Sequence, residues 1–282
     1  MFEIILNGLA YGSLLVILAS GLVLLYGLRG IVNFAHGSLY MMGAYIGATM
    51  TLVANFWVAL NVAAVVFGLV GLVLDRTIFR LLQNRPPVIS VIVTFGLLLV
   101  FEDIVHALWG KNNIMMDGPA LFDGTVNIFG VSYPLYRLMM LAFGVALAAG
   151  LWAWLRFTRI GLFIRAASRD PIAAGICGVN ADRVSGIVVA TGTALAGVAG
   201  VIAGPMLSLS PTMGSSILVD SFVVVVLGGL GSFAGALVSG VLLGQVQSWG
   251  AVYVPSLAAL LPFILMGAVL IWRPEGILGR KS

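Results

Sequence analysis

The sequence predicts an all-α fold: a polytopic membrane helical bundle whose long helices are interrupted by broken or re-entrant short ones. Three observations carry this. Of 282 residues, 61% are hydrophobic and only 9% are charged, where a soluble domain carries roughly 25% charged residues. A chain of this size still needs a polar shell over its core, and this one lacks the residues to build it. Apolar runs of about 20 residues, the length that spans a membrane, recur from end to end. The 36 glycines suit membrane helices whose backbones approach closely.

The first run, near 4–27, follows the acidic start Met1-Phe2-Glu3 and is too long for a signal-peptide core, so it reads as a retained transmembrane helix. Further runs lie near 37–55, 57–75, 87–109, 135–155 and 184–207. The last apolar stretch, 217–272, divides at Gly228-Gly229-Leu230-Gly231-Ser232 and again at Pro255. It leaves two short segments, about 217–231 and 234–250, and a full one at 256–272. Eight or nine segments fill the chain, and residues 1–282 read as a single transmembrane domain.

Lys and Arg set the orientation. Arg76, Arg80 and Arg85 flank one short loop, Arg156, Arg159, Arg165, Arg169 and Arg183 fill another, and Arg273, Arg280 and Lys281 end the chain. These three places are expected in the cytoplasm. The loop 110–134, with Lys111, Asp117, Asp123 and turn residues Gly118-Pro119 and Gly130, belongs outside. With full crossings throughout, the N-terminus lies outside and the C-terminus inside. Scattered basic residues without a basic stripe argue against nucleic acid as a partner and for a lipid membrane.

The loop 156–183 predicts a short helix. Asp170 is placed to cap it, with Pro171 at its first position, and Gly178 and Asn180 supply stop signals. Such a helix is too short to stand alone and makes sense docked against something else, or as an amphipathic loop lying on the membrane.

Several chemistries are excluded. The two lysines, Lys111 and Lys281, do not end a phosphate-binding G-x-x-x-x-G-K-[ST] loop, so energy for uphill transport must come from a partner chain or an ion gradient. A lone cysteine, Cys177, excludes an intrachain disulfide and a multi-Cys metal site. Two histidines leave little from which to build a hydrolase triad. The chain reads as a non-enzyme with no cofactor and no metal.

The polar residues inside apolar runs carry the functional signal. In 27–45, Arg29, Asn33, His36 and Ser38 interrupt what is otherwise one hydrophobic stretch. Polar groups at membrane depth persist where protein or a water-filled cavity satisfies them. Gly27, Gly30 and Gly37 can break the helix, and Asn33 can cap the next one. Two readings stay open: a solute pathway lined by Asn33, His36 and Ser38, or a plain turn with His36 bonded to a carbonyl. Phe34-Ala35-His36-Gly37-Ser38-Leu39 is echoed faintly by Phe233-Ala234-Gly235-Ala236-Leu237, and paired broken helices mark the sites of many transporters. Glu102 and His106 are one turn apart in 87–109, with Asp103 between them. They line a gate or pathway, or else snorkel to the interface.

These segments together resemble a known family. GLVLLYGLRGIVNFAHGSLYMMGAY at 21–45 looks like the signature of the permeases of branched-chain amino acid ABC importers, which include relatives for urea and short amides. GLFIRAASRDPIAAGICGVNADRV at 161–184 resembles that family's cytoplasmic coupling region. VVVVLGGLGSFAGALVSGVLLG at 223–244 and WRPEGILG at 272–279 are similar to its late segments. The resemblance implies a bacterial inner-membrane permease subunit. It would work with a homologous or identical second permease, cytoplasmic ATP-binding subunits and a periplasmic solute-binding protein. It implies an ATPase-coupling role for Arg165, Arg169, Asp170, Ala173, Ala174 and Gly175; the substrate-pathway reading of Asn33, His36, Ser38, Glu102 and His106 rests on their polarity within apolar runs. The pair Glu102-Asp103 departs from the family's pattern. The alternative is a proton-coupled secondary transporter using Glu102, Asp103 and His106; a membrane scaffold would not require polar breaks such as Asn33 and His36.

Overall fold

The structure is a computed structural model that describes residues 1–83, 85–128 and 130–279; Arg280 and Lys281, expected at a cytoplasmic end, lie outside the described residues. Helix α1, Phe2–Arg29, ends where Gly30 turns left-handed (φ 64°) and its N–H reaches the Tyr26 carbonyl, a conformation that glycine adopts without a Cβ clash. Helix α2 is Ala35–Val53. Helix α3 starts at Phe56, capped by the Asn55 side chain, and runs to Leu82 through a π-helical turn at Asp75–Phe79. Helix α4 is Pro87–Trp109 and α5 is Leu135–Phe157. Two shorter helices follow, α6 Arg159–Arg169 and α7 Pro171–Ile176, and then α8 Ala181–Ala203. The last three are α9 Met213–Gly228, α10 Phe233–Tyr253 and α11 Leu261–Trp272.

Every apolar run read from the sequence thus becomes a helix, but three details differ. Residues 256–272 do not form a full segment. Pro255 and Pro262 withhold backbone donors, so a 3-10 turn occupies Pro255–Leu257 and the α-helix has only 12 residues, about 18 Å. The 234–250 segment is not short: α10 has 21 residues. The loop 110–134 carries an antiparallel hairpin, β1 Thr125–Ile128 with β2 Val131–Pro134, in which Val126 faces Tyr133. Among the described residues, five helices (α1, α3, α4, α5 and α8 with the turn after it) are long and apolar enough to cross a membrane. Helices α2 and α10 have comparable length with more small and polar residues.

Helix α1 is the axis of the bundle. Its residues from Leu14 to Leu25 are all buried, while α3, α4 and α5 bury only one face each. Around α1 sit α5, α8, α9 and α10. Small residues set the closest approach: a methyl group on Gly12 would stand 2.9 Å from the carbonyl oxygen of Gly240 in α10. Helices here are held by tight van der Waals packing, because lipid supplies no hydrophobic drive between them.

The basic residues gather at one end, where α1, α3 and α5 finish and α8 begins. At the opposite end, Asn7 of α1 meets Tyr133 of β2 and Arg137 at the start of α5, and the Ile114 and Leu209 backbones pair.

Candidate functional site

The break after α1 is not a surface turn. From Gly30 the chain runs back into the bundle without helical structure, and α2 starts only at Ala35. His36 fixes the depth: its Nε2–H donates to the Leu18 carbonyl, 3.1 Å away. Leu18 precedes Arg29 by eleven residues of helix, roughly 16 Å at 1.5 Å per residue. The start of α2 therefore lies well inside the bundle. Asn33 Oδ1 accepts from the Ala35 N–H (3.1 Å), and Thr94 of α4 donates to the Val32 carbonyl (3.2 Å). Ser38 donates to the Ala35 carbonyl (2.9 Å). Gly37 lets α2 come against the Gly214 carbonyl at the start of α9.

These bonds divide the sequence-derived trio. His36 and Ser38 are buried and satisfy backbone carbonyls, which makes them parts of the break itself. Asn33 is fully buried, and its Nδ2 has no hydrogen-bond partner. Buried donors left unpaired are rare and call for an explanation. The echo at 233 is a helix start too, with Ser232 capping Gly235. It sits near Gly27, however, at the basic end, and not at the depth of His36.

Beside the break, α4 and α9 form one polar-apolar face. Phe34 sits between Phe95 of α4, which it meets edge-on, and Phe222 of α9, to which it is tilted, with centroids at 6.3 and 5.0 Å. Farther along, Ser215 of α9 donates to Glu102 Oε1 at 3.2 Å. Asp103 points away and is exposed. His106 Nδ1 is buried and unpartnered. Among the described residues, no group of three His, Cys, Asp or Glu is placed to hold a metal.

At the basic end lies a cluster that sequence reading did not single out. Asp75, fully buried in the π-helical turn of α3, accepts from Arg29 (3.3 Å), Ser185 (2.7 Å) and Arg80 (3.2 Å). Arg29 also donates to Ser185 and lies 3.6 Å from Asp182. The cluster ties the end of α1 to α3 and to the first turn of α8. π-Turns often mark functional positions, and here the extra residue brings Asp75 into line with Arg29. A second missed acid, Asp220 of α9, accepts from Tyr11 of α1 (2.7 Å) and Gln247 of α10 (3.0 Å). The rule that an acid inside a membrane segment is functional until shown otherwise finds Asp220. Asp75 adjoins Arg76 at the end of an apolar run and passes for an interfacial residue.

The helix expected in 156–183 is α7, and its construction follows the sequence. Asp170 Oδ1 accepts from the Ile172 and Ala173 N–H groups at 3.0 and 2.9 Å, with Pro171 at the first position. Two corrections apply. Asn180 does not stop α7; it caps α8 by accepting from the Arg183 N–H. Ala174 does not face outward, because it packs inward with Ile164, Ala167 and Val184. The outward face holds Ala173 and Gly175 together with Ile172 and Ile176, which are 77% and 83% exposed. Before α7 stands the amphipathic helix α6, capped by Thr158. Its Arg169 is exposed, while Arg165 is turned toward the bundle.

Comparison with known proteins identifies the family. The chain is 29% identical to the high-affinity branched-chain amino acid transport system permease protein LivH of Escherichia coli (strain K12), over 98% of this chain and 94% of that one. It is 29% identical to the corresponding permease protein BraD of Pseudomonas aeruginosa, over 99% and 95%. A solved chain of PsaBC from Streptococcus pneumoniae, in complex with Fab, has the same fold with a TM-score of 0.52 at 14% identity, covering 95% of this chain and 91% of that one. With the family model for the branched-chain amino acid transport system permease component matching residues 4–271, the chain belongs to that family of membrane permeases.

Proposed function

We propose that this chain is a permease subunit of an ATP-driven importer, moving branched-chain amino acids or a closely related small polar solute across the bacterial inner membrane. The observation that carries the reading is the family match over residues 4–271, which spans both the buried break and α7. The basic end faces the cytoplasm by the positive-inside rule. There ATP-binding subunits bear on Ile172, Ala173, Gly175 and Ile176. A solute-binding protein delivers from the other side. The solute passes along the face formed by Phe34, Phe95, Phe222, Glu102 and Ser215, between this chain and a homologous or identical second permease. Asn33 Nδ2, buried without an acceptor, is the donor in the break best placed to meet a passing carboxylate or carbonyl. His36, Ser38 and His106 support that face, and the domain is single.

The test is uptake of labelled leucine into proteoliposomes. Concentrative uptake is expected when the second permease, ATPase and binding protein are reconstituted with this chain, and not when the chain alone is given a proton gradient. Uptake driven by the proton gradient alone would favour the carrier built on Glu102, Asp103 and His106.

Within the same assay, Glu102 and His36 should separate. Glu102→Gln removes a charge from a half-exposed side chain on the solute face. The uptake rate is expected to fall about tenfold, with normal yield and assembly. His36→Ala removes the second donor to the Leu18 carbonyl and leaves a cavity where a fully packed ring stood inside the bundle, a loss of about 1–3 kcal/mol. Folded yield and uptake should therefore drop together. Normal yield for His36→Ala with slowed uptake would instead make His36 a pathway residue.

A further inference from the structure

A cavity of about 580 Å³ opens at the basic end, between the last turns of α1, the end of α5, the inward face of α6 and the start of α10. One wall is apolar: Leu24, Trp152, Leu155 and Phe233. The lining also includes three cations, Arg156, Arg165 and Arg169, together with Ser168, and among the described residues no acidic one lines the cavity. Among the described residues, none of the three arginines forms an ion pair. Arg165 Nη1 is buried and has no hydrogen-bond partner.

Arginines that merely obey the positive-inside rule reach into water and need no partner. Arg165 does not fit that account, because a buried guanidinium nitrogen left unpaired is costly. A bound oxyanion would satisfy it. Arginine also suits this role by shape, since its planar fork meets phosphate oxygens in pairs. The apolar wall then separates a free anion from an amphiphile. Trp152, 50% exposed, stacks edge-on with Phe157, and Leu162 and Phe163 are exposed close by on α6. Aromatic residues grouped in this way mark the level of lipid headgroups.

We propose that this cavity seats an anionic phospholipid, its phosphate held by Arg165 and Arg169 and its upper acyl chain lying against Leu24, Trp152 and Leu155. Basic pockets between transmembrane helices on the cytoplasmic side bind anionic headgroups on general electrostatic grounds. Arg165 and Arg169 thereby acquire a role distinct from the ATPase contact of α7. A lipid held there would clamp α6, and through it α7, to α1 and α10.

The full-length chain, purified into nanodiscs of equal phosphatidylglycerol and phosphatidylcholine, is released and its retained lipids counted by native mass spectrometry. The wild type should keep phosphatidylglycerol in preference to phosphatidylcholine. In R165Q/R169Q that preference should fall about 25-fold, at about fivefold per arginine, with an unchanged helical circular-dichroism spectrum. R165K keeps the charge and should retain most of the preference, which separates lost binding from lost folding. Equal retention of the two lipids by the wild type, or no change in R165Q/R169Q, overturns the proposal. Displacement of phosphatidylglycerol by excess inorganic phosphate would make the cavity a seat for a free anion and overturn it for lipid. An unchanged lipid preference with lost ATPase co-purification would assign the arginines to the partner protein instead.

Discussion

Asp75→Ala is expected to destabilise the protein by about 3–5 kcal/mol, the usual consequence of removing one partner from a buried ion pair. The side chain of Asp75 has no exposed surface, and that of Arg29 has 3%. Without the carboxylate, Arg29 keeps only Ser185 and the more exposed Asp182. The buried charge then loses its one buried counter-ion where α1, α3 and α8 meet. Thermal unfolding of the purified protein in detergent measures the loss. Arg29→Met combined with Asp75→Leu should recover much of it, because two apolar groups of similar volume remove both buried charges, and the partly exposed Arg80 keeps Asp182 as a partner. A change within about 0.5 kcal/mol for Asp75→Ala would place the group outside the determinants of stability.

The second large effect concerns assembly. Ile172 and Ile176 stand one turn apart on the outward face of α7. A six-residue helix is too short to hold itself, and Asp170 and the inward packing of Ala174 fix it to the rest of the fold. Under the proposed function, two bared isoleucines on a fixed helix form the centre of the ATPase contact. Ile172→Asp with Ile176→Asp should leave membrane insertion and yield intact. Co-purification with the ATPase is expected to weaken by about 10³-fold, at roughly 2 kcal/mol for each anchor, and ATP-dependent uptake should be lost. Unchanged co-purification would show that the ATPase bears elsewhere.

Much of the fold was legible in the sequence because lipid imposes a harsh rule. A backbone in hydrocarbon must satisfy its own polar groups, so long apolar runs become helices whatever their neighbours. The same local logic found the Asp170 cap, Gly30 among the glycines able to break the helix, and the polar interruption within 27–45. Local signals failed where two prolines flank a start, as at 255–262. They also failed where a cap residue belonged to the next helix, as at Asn180.

The candidate site was only half legible. Polar residues in apolar runs announced themselves, yet their partners lie far along the chain: His36 with Leu18, Glu102 with Ser215, Asp220 with Tyr11 and Gln247. Spacing along one helix joined Glu102 to His106, whereas the structure joins Glu102 to α9. Only the three-dimensional arrangement turned Ala174 inward and bared Ile172 and Ile176. Composition and hydrophobic periodicity determined that this chain is a membrane bundle with a broken second segment and a capped basic-end helix, because those properties follow from backbone satisfaction in lipid and from short-range capping. Packing alone decided that α1 is the central helix, that Asp75 holds Arg29, and that Arg165 turns toward the basic cavity. Those choices depend on contacts between residues distant in sequence, and no local pattern encodes them.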